Sequence, residues 1–454
     1  MSNLGDGTPV NAQRTQGTGD DAMSISRRDL LLAGGAFMLG GPRFVGPRTA
    51  PARAPQQKSG PEAVLEALRK NRFPITMTGG TPAGQGWDWL VKQAGDARFT
   101  LVGEEHGVAE TAQLSAALFK ALRSAGYTRM AVELSPMIAQ DIDAAARRSG
   151  LQGILDFFAR PSTWHPMYLR EEAQFLADVV AAGPKNERVL WGIDREIFSD
   201  RYLVERLEGK VPPRARAAYA RLKEASVSTA IRREKNPGAE MPFLFAQQPA
   251  IVTDVRNAWP DPDRDSDIIL RTLEESLIIN ALGRTATGWD QSERRAQWMR
   301  RSLAMHLNEA RAHGSSPKVM LKTGYNHMIR GANYVNTFDV GSMPDEVAAL
   351  DGAHAFHVIV LPGPGSHQAT MGPGRSFVAV SSDEFDEFKG GEQRLTRVLP
   401  NANAAGHEVI DLRPARSLAQ RGLESWNSDV VKTIYGYDAA VIWKGARASV
   451  MGSP

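Results

Sequence analysis

The chain has 454 residues, a formal net charge of +3 and no cysteine, and its 42% hydrophobic and 23% charged content is that of a globular protein rather than a disordered, collagenous or coiled-coil one. Its 54 Lys and Arg against 51 Asp and Glu are scattered without a basic run, which argues against a nucleic-acid partner. The lack of cysteine excludes disulfides, thiolate nucleophiles and Cys-ligated zinc or iron–sulfur centres, so any metal would have to use histidines and carboxylates.

At the N-terminus, Ser26-Arg27-Arg28-Asp29-Leu30-Leu31 leads into an apolar, glycine-containing run to Gly41, a pattern similar to a twin-arginine export signal. The run is about a dozen residues, short of the ~20 that span a bilayer, so no transmembrane anchor is expected. Translation is expected to begin at Met23, and Ala52-Arg53-Ala54 matches the small-x-small cleavage pattern, although Pro55 follows it. Residues 1–59 thus read as a disordered N-terminus with a signal, and 60–454 as a single α/β domain. The expected location is periplasmic or extracellular, with the twin-arginine translocase as export partner.

The mature chain opens with helical spacing of Val64, Leu65 and Leu68, a Gly/Pro-rich loop over 78–86, and a second helical stretch with Trp87, Leu90 and Val91. Phe99 to Val102 is a short apolar run that ends in Gly103-Glu104-Glu105-His106, and Leu114, Leu118 and Leu122 then share a helical face. Met130-Ala-Val-Glu133 is the next strand, so strand, helix, strand predicts a parallel βαβ unit with Glu133 beside His106. Further helices are predicted from Pro136 to Arg148 and from Leu169 to Ala182. Arg188-Val-Leu-Trp-Gly-Ile-Asp194 repeats the apolar run that ends in an acid. Residues 200–314 are largely helical and predict an insertion over the carboxyl ends of the strands. Lys318-Val-Met-Leu-Lys322 resumes the strand pattern and leads to Asn326 and His327, and late strands are predicted at 356–361, 377–380, 408–412 and 439–443. The fold class is therefore α/β, a mostly parallel sheet flanked by helices.

In such a sheet ligands sit outside the carboxyl ends of the strands. Four of the predicted strand ends carry polar or ionisable groups: Glu104, Glu105 and His106; Glu133; Asp194; and Asn326 with His327. One charged strand end is a common accident, but four gather carboxylates and imidazoles round one cleft, where neighbouring acids raise the basicity of His106 and fit it to take a proton from water. A water so activated attacks an ester or amide. His165, in a predicted loop, is a candidate to line the pocket. His306 and His313 fall on a charged helical stretch and read as surface residues, whereas His354, His357, His367 and His407 receive no role. The absence of a G-x-S-x-G elbow argues against a serine triad.

Leu-Val-Gly-Glu-Glu-His-Gly, Ala-Val-Glu-Leu, Trp-Gly-Ile-Asp and Gly-Tyr-Asn-His occur in that order over residues 98–340. Trp164-His-Pro-Met-Tyr-Leu-Arg-Glu-Glu172 and Glu293-Arg-Arg-Ala-Gln-Trp-Met299 lie between them. Together they resemble the erythromycin esterase-like proteins and the related haem-uptake lipoproteins and Tiki-type metallopeptidases. The resemblance implies an α/β fold with helical insertions and a cleft in which a histidine activates water without a metal. By it His106 is the base, Glu104 and Glu133 are its acidic partners, and His327 binds or polarises the substrate. Glu105, His165, Asp194, Asn326 and Arg330 remain as substrate-binding candidates. The expected activity is hydrolysis of a small-molecule ester or related acyl bond with no cofactor. The alternatives are a hydrolase that uses His106, Glu104, Glu133 and His327 as ligands to a divalent metal, and a haem- or iron-binding protein without catalysis.

Overall fold

Apolar runs that alternate between two faces build the centre of the molecule, and the computed structural model shows how they are ordered. It describes residues 60–452 apart from 164, 237–239, 286, 373–375, 383–405, 421, 422, 424, 425 and 427. The twin-arginine segment, Ala52-Arg53-Ala54 and Trp164 lie outside the described residues.

In chain order the elements begin with α1 (Pro61–Lys70), β1 (Arg72–Thr78), β2 (Thr81–Ala83), α2 (Gln85–Asp96) and β3 (Phe99–Glu104). There follow α3 (Ala109–Leu122), β4 (Tyr127–Val132), α4 (Pro136–Ala159), α5 (Arg170–Ala182) and β5 (Leu190–Gly192). The helical stretch comprises α6 (Asp200–Leu207), α7 (Arg216–Lys235), α8 (Phe243–Ala246), α9 (Ala250–Ala258), α10 (Arg264–Thr285) and α11 (Gly288–Ala312). The chain continues with β6 (Lys318–Gly324), α12 (Tyr325–Met328), α13 (Met343–Ala349), β7 (Ala355–Pro362), β8 (His367–Met371) and β9 (Phe377–Ser381). It closes with β10 (His407–Asp411), α14 (Ser428–Gly436) and β11 (Ala439–Trp443).

Nine strands form one sheet in the order β2-β1-β10-β11-β7-β3-β6-β4-β5. The run from β11 to β5 is parallel throughout, and β10, β1 and β2 add antiparallel pairings at one side. The fold is α/β, with a large, mostly parallel sheet covered by helices, as the strand–helix alternation predicts. Adjacent residues of one strand feed opposite layers. Val102 and Met320 pack with α3, α4 and α5, whereas Leu101 and Leu321 pack with α1 and α11. Helix α11 is set by a capping box between Thr287 and Asp290 and lays Met299, Leu303 and Leu307 on the sheet.

Three expectations are corrected. β4 does not neighbour β3: β6 lies between them, so the two strands of the predicted βαβ unit are separated by a strand from about 190 residues later in the chain. Strand β2 lies inside the predicted Gly/Pro-rich loop, and it pairs with β1, which carries Pro74 in a stretch to which the sequence reading assigns no element. The antiparallel pairing of β1 with β10 near the sheet edge tolerates a residue without an N–H. His306 is buried rather than on the surface, with Nε2 2.9 Å from the Gly192 carbonyl oxygen and its ring stacked on Trp191. Burial pulls this imidazole down to about 4, so it is neutral at ordinary pH.

The strand at 377–380 belongs to the β8–β9 hairpin, which stands apart from the main sheet. Gly107, with φ +77°, receives the hairpin: the Ala369 N–H donates to its carbonyl at 2.9 Å, and a Cβ on Gly107 would lie 2.1 Å from Ala369 O. Gly107→Ala is therefore expected to destabilise the protein by at least ~1–3 kcal/mol. Urea denaturation measures this, and an unchanged midpoint would show that the contact does not constrain the fold.

Candidate active site

The carboxyl ends of β3, β6, β4 and β5 lie side by side, and the residues that follow them meet. Glu104 stands opposite Gly324, and Lys322 is level with both Val102 and Val132. Although β6 separates β3 from β4, its last residue has no side chain. His106 and Glu133 meet across that gap, with His106 Nε2 3.6 Å from Glu133 Oε2. A Cβ on Gly324 would come within 3.0 Å of His106 Nε2, and the Gly324 N–H itself donates to Glu133 Oε2 at 2.7 Å.

His106 is the exposed member of the cluster, its side chain 59% accessible, while Glu104 beneath it is 2% accessible. Its Nδ1 lies 3.1 Å from Glu104 Oε1. Burial of the site pulls the imidazole towards its neutral form, but the Glu133 charge and the hydrogen bond and charge of Glu104 outweigh that and raise it to about 9. Glu133 is held far below the usual carboxylate range: burial opposes ionisation, and the charges of His106 and Arg295 overcome it.

Two cations hold the acids in place. Lys322, fully buried, places Nζ 2.5 Å from Glu104 Oε2 and 2.9 Å from Glu172 Oε2. Burial disfavours its charge, yet the two carboxylates keep it well above the ordinary lysine range. Burial, with the Glu104 charge adding to it and Lys322 opposing, lifts Glu172 to about 7. Arg295 reaches over from α11 and donates to Glu133 Oε1 at 2.5 Å and to both oxygens of Asp194 at 2.6 and 3.0 Å. Such a buried, hydrogen-bonded network tolerates ionised acids where isolated ones would neutralise.

A cavity of about 390 Å³ opens on this cluster. Glu104, Glu105, His106, Glu133 and His165 line it, together with Glu172, Arg195 and Arg295. The opposite wall is apolar, formed by Met167, Leu169 and Ile197 with Ala369, Met371 and Phe377 of the hairpin. His165 is buried, and burial holds its imidazole below the usual value. The Met167 N–H donates to its Nδ1 at 3.2 Å, which leaves the proton of the neutral ring on Nε2.

The other candidates lie outside the lining. Asp194 is spent on Arg295. His327 stands behind Glu133, its Nδ1 2.7 Å from Asp339 Oδ2 and its Nε2 3.8 Å from Glu133 Oε1. Asn326 accepts from the Tyr334 N–H at 3.2 Å and so shapes the following loop. Arg330 is bound to Asp345 and Asp438. The cations of the site are Lys322, Arg295 and Arg195, none of which the sequence reading assigns a role. Lys322 did leave a signal: it takes the same strand face as Met320, where an unpaired charge would be prohibitive, so a buried acid had to be near.

The residues do not fit a divalent metal. The oxygens of Glu104 and Glu133 that would ligate it already hold Lys322, Arg295 and the Gly324 N–H, and a dication there would face two fixed cations. Among the described residues no group of three or more His, Asp and Glu is arranged for a metal.

No family model and no curated protein matches the sequence. Solved structures match the fold. A Bacillus cereus protein shares 13% identity at a TM-score of 0.54 over 86% of this chain and 99% of its own. A succinoglycan biosynthesis protein shares 11% at 0.57 over 86% and 98%. An erythromycin esterase variant in its open conformation shares 14% at 0.49 over 80% and 94%, an overlap too loose to carry an argument. At these identities the likeness is one of fold alone.

Because Gly324 has ordinary φ and ψ of −51° and 141°, alanine there strains nothing in the backbone and acts only by displacing the His106 ring. Gly324→Ala is expected to leave stability within ~1 kcal/mol and to lower any His106-dependent rate by at least about tenfold. Rates and melting measured on the same sample check this, and an unimpaired rate would mean that the His106–Glu133 approach is not needed.

Proposed function

We propose that this protein is an exported hydrolase of small-molecule esters or related acyl bonds, in which His106 activates the attacking water. The single observation that carries the reading is the placement of His106. An accessible imidazole stands at the mouth of a largely apolar cavity, braced on its two nitrogens by Glu104 and Glu133. That is the arrangement a general base needs: Nδ1 is hydrogen-bonded to Glu104, the 3.6 Å from Nε2 to Glu133 Oε2 is too long for a hydrogen bond and leaves the Nε2 lone pair to accept a proton, and fixed negative charge stabilises the imidazolium that forms.

In the proposed reaction a water donates its proton to His106 as its oxygen attacks the acyl carbon. The negative charge that develops on the carbonyl oxygen is met by the Nε2–H of His165. The tetrahedral species then expels the alcohol, which takes the proton back from His106. Lys322 and Arg295 do not touch the substrate's reacting atoms in this scheme. They keep Glu104 and Glu133 ionised and immobile.

The raised affinity of His106 for its proton sets the sign of the pH dependence. With a value of about 9, the base is mostly protonated at neutral pH and only about one molecule in a hundred carries the free imidazole at pH 7. The rate kcat/KM is therefore expected to rise with pH through the neutral range and to level off above about pH 9. His106→Ala is expected to lose about 10²- to 10⁴-fold in rate on a panel of aryl esters. Equal rates for wild type and variant would remove His106 from the chemistry.

Export is proposed on the twin-arginine pattern at Arg27-Arg28 and the apolar run after it. Among the described residues no helix is long and apolar enough to cross a membrane. Replacing both arginines by lysine is expected to hold the precursor inside the cell in a fractionation experiment. Undiminished periplasmic or extracellular protein would overturn the assignment.

A further inference from the structure

Two arginines line the cavity, and they differ in one respect. Arg295 is ion-paired with both Glu133 and Asp194. Arg195, the residue directly after Asp194, forms no ion pair among the described residues. Its Nη1 donates to the amide oxygen of Asn280 at 2.6 Å, and its guanidinium lies over the Phe245 ring at 5.9 Å. Its Nε is shut off from water with no acceptor, and among the described residues none accepts from its Nη2.

The acids that could have neutralised Arg195 are engaged elsewhere. Asp194 is bound on both oxygens by Arg295. Glu196, next in the chain, turns away: its Oε1 accepts the backbone N–H groups of Ile197, Phe198 and Ser199, and its Oε2 accepts from the Ser135 hydroxyl at 2.6 Å. A partly buried cation without a counter-ion is costly to keep, and burial, with the Arg295 charge, lowers the affinity of Arg195 for its proton to about 10. A guanidinium in that state, pinned by a ring and an amide at the wall of a cavity, is prepared to receive an anion.

We propose that Arg195 binds a carboxylate of the substrate, so that the preferred substrates are acyl esters with a free carboxylate and an apolar portion that rests on Ala369, Met371 and Phe377. The planar fork of a guanidinium matches a carboxylate, and a single negative charge balances the one guanidinium of the cavity that forms no ion pair among the described residues. Arg195 in this role is a specificity residue, distinct from the bond-breaking work of His106, and the inference rests on the hydrolase reading of the same cavity.

The test uses the mature protein and matched aryl esters of dicarboxylic acids, one series with the distal carboxylate free, one with it methylated and one with a phosphate in its place. Wild type is expected to favour the free carboxylate over the methylated ester by tenfold or more in kcat/KM, chiefly through KM. Arg195→Met is expected to bring that ratio to within about twofold of unity while its rate on the methylated ester stays within about threefold of wild type. A wild-type ratio near unity overturns the proposal, as does a variant that keeps the preference, an equal loss on all esters, or a preference for the phosphate. Should no ester be turned over, the hydrolase reading fails by itself. Binding of glutarate is then read by calorimetry, where uptake by wild type and a tenfold or greater loss in Arg195→Met supports the carboxylate site, and no uptake by wild type overturns it.

Discussion

The compensation of buried negative charge at the strand ends is the constraint on which the rest of this structure depends. Glu104 and Asp194 are buried and Glu133 is largely so, its side chain 11% accessible, and ionised carboxylates in that position are stable only where fixed cations and N–H groups meet them. Lys322 approaches from within the sheet and Arg295 from a helix laid across it. Each also joins elements that are distant in sequence: Lys322 links β6 to the end of β3 and to α5, and Arg295 links α11 to the ends of β4 and β5.

That arrangement gives the helical stretch between β5 and β6 a direct part in the site. α11 is held to the sheet by its apolar face, and this packing brings Arg295 to Glu133 and Asp194. Without the packing of a helix some 25 residues long, Glu133 would lose the arginine that fixes it in place beside His106. The geometry of the exposed imidazole thus depends on contacts far from it, an order of dependence common where a reactive group needs a preset electrostatic environment.

The cavity has two characters that answer to two demands. Its floor is ionic and its other wall is apolar, formed by Met167, Leu169 and Ile197 together with Ala369, Met371 and Phe377 of the β8–β9 hairpin. An apolar wall excludes water and so strengthens the electrostatic effects of the floor, while it also supplies area for an uncharged part of a ligand. The docking of the hairpin on Gly107, the residue next to His106, means that the wall and the base share one anchoring point in the backbone.

Much of this was legible in the residues themselves. Apolar runs that end in acids at Glu104 and Glu133 announced strands with charged ends, and strand–helix alternation announced a parallel sheet, because period and burial are local properties of the chain. The meeting of Glu104, Glu105, His106 and Glu133 followed from the rule that parallel strands expose one common end. What the sequence could not order was the neighbours. The insertion of β6 between β3 and β4, with Gly324 as the gap through which His106 and Glu133 meet, depends on long-range pairing. The burial of His306, the retirement of Arg330 to Asp345 and Asp438, and the choice of Lys322, Arg295 and Arg195 as the site's cations were likewise decided by tertiary packing. An arginine or histidine carries no local mark of the acid or carbonyl that will face it, so the sequence determined which groups could do chemistry at the strand ends, and only the fold determined which of them are neutralised and which stand free.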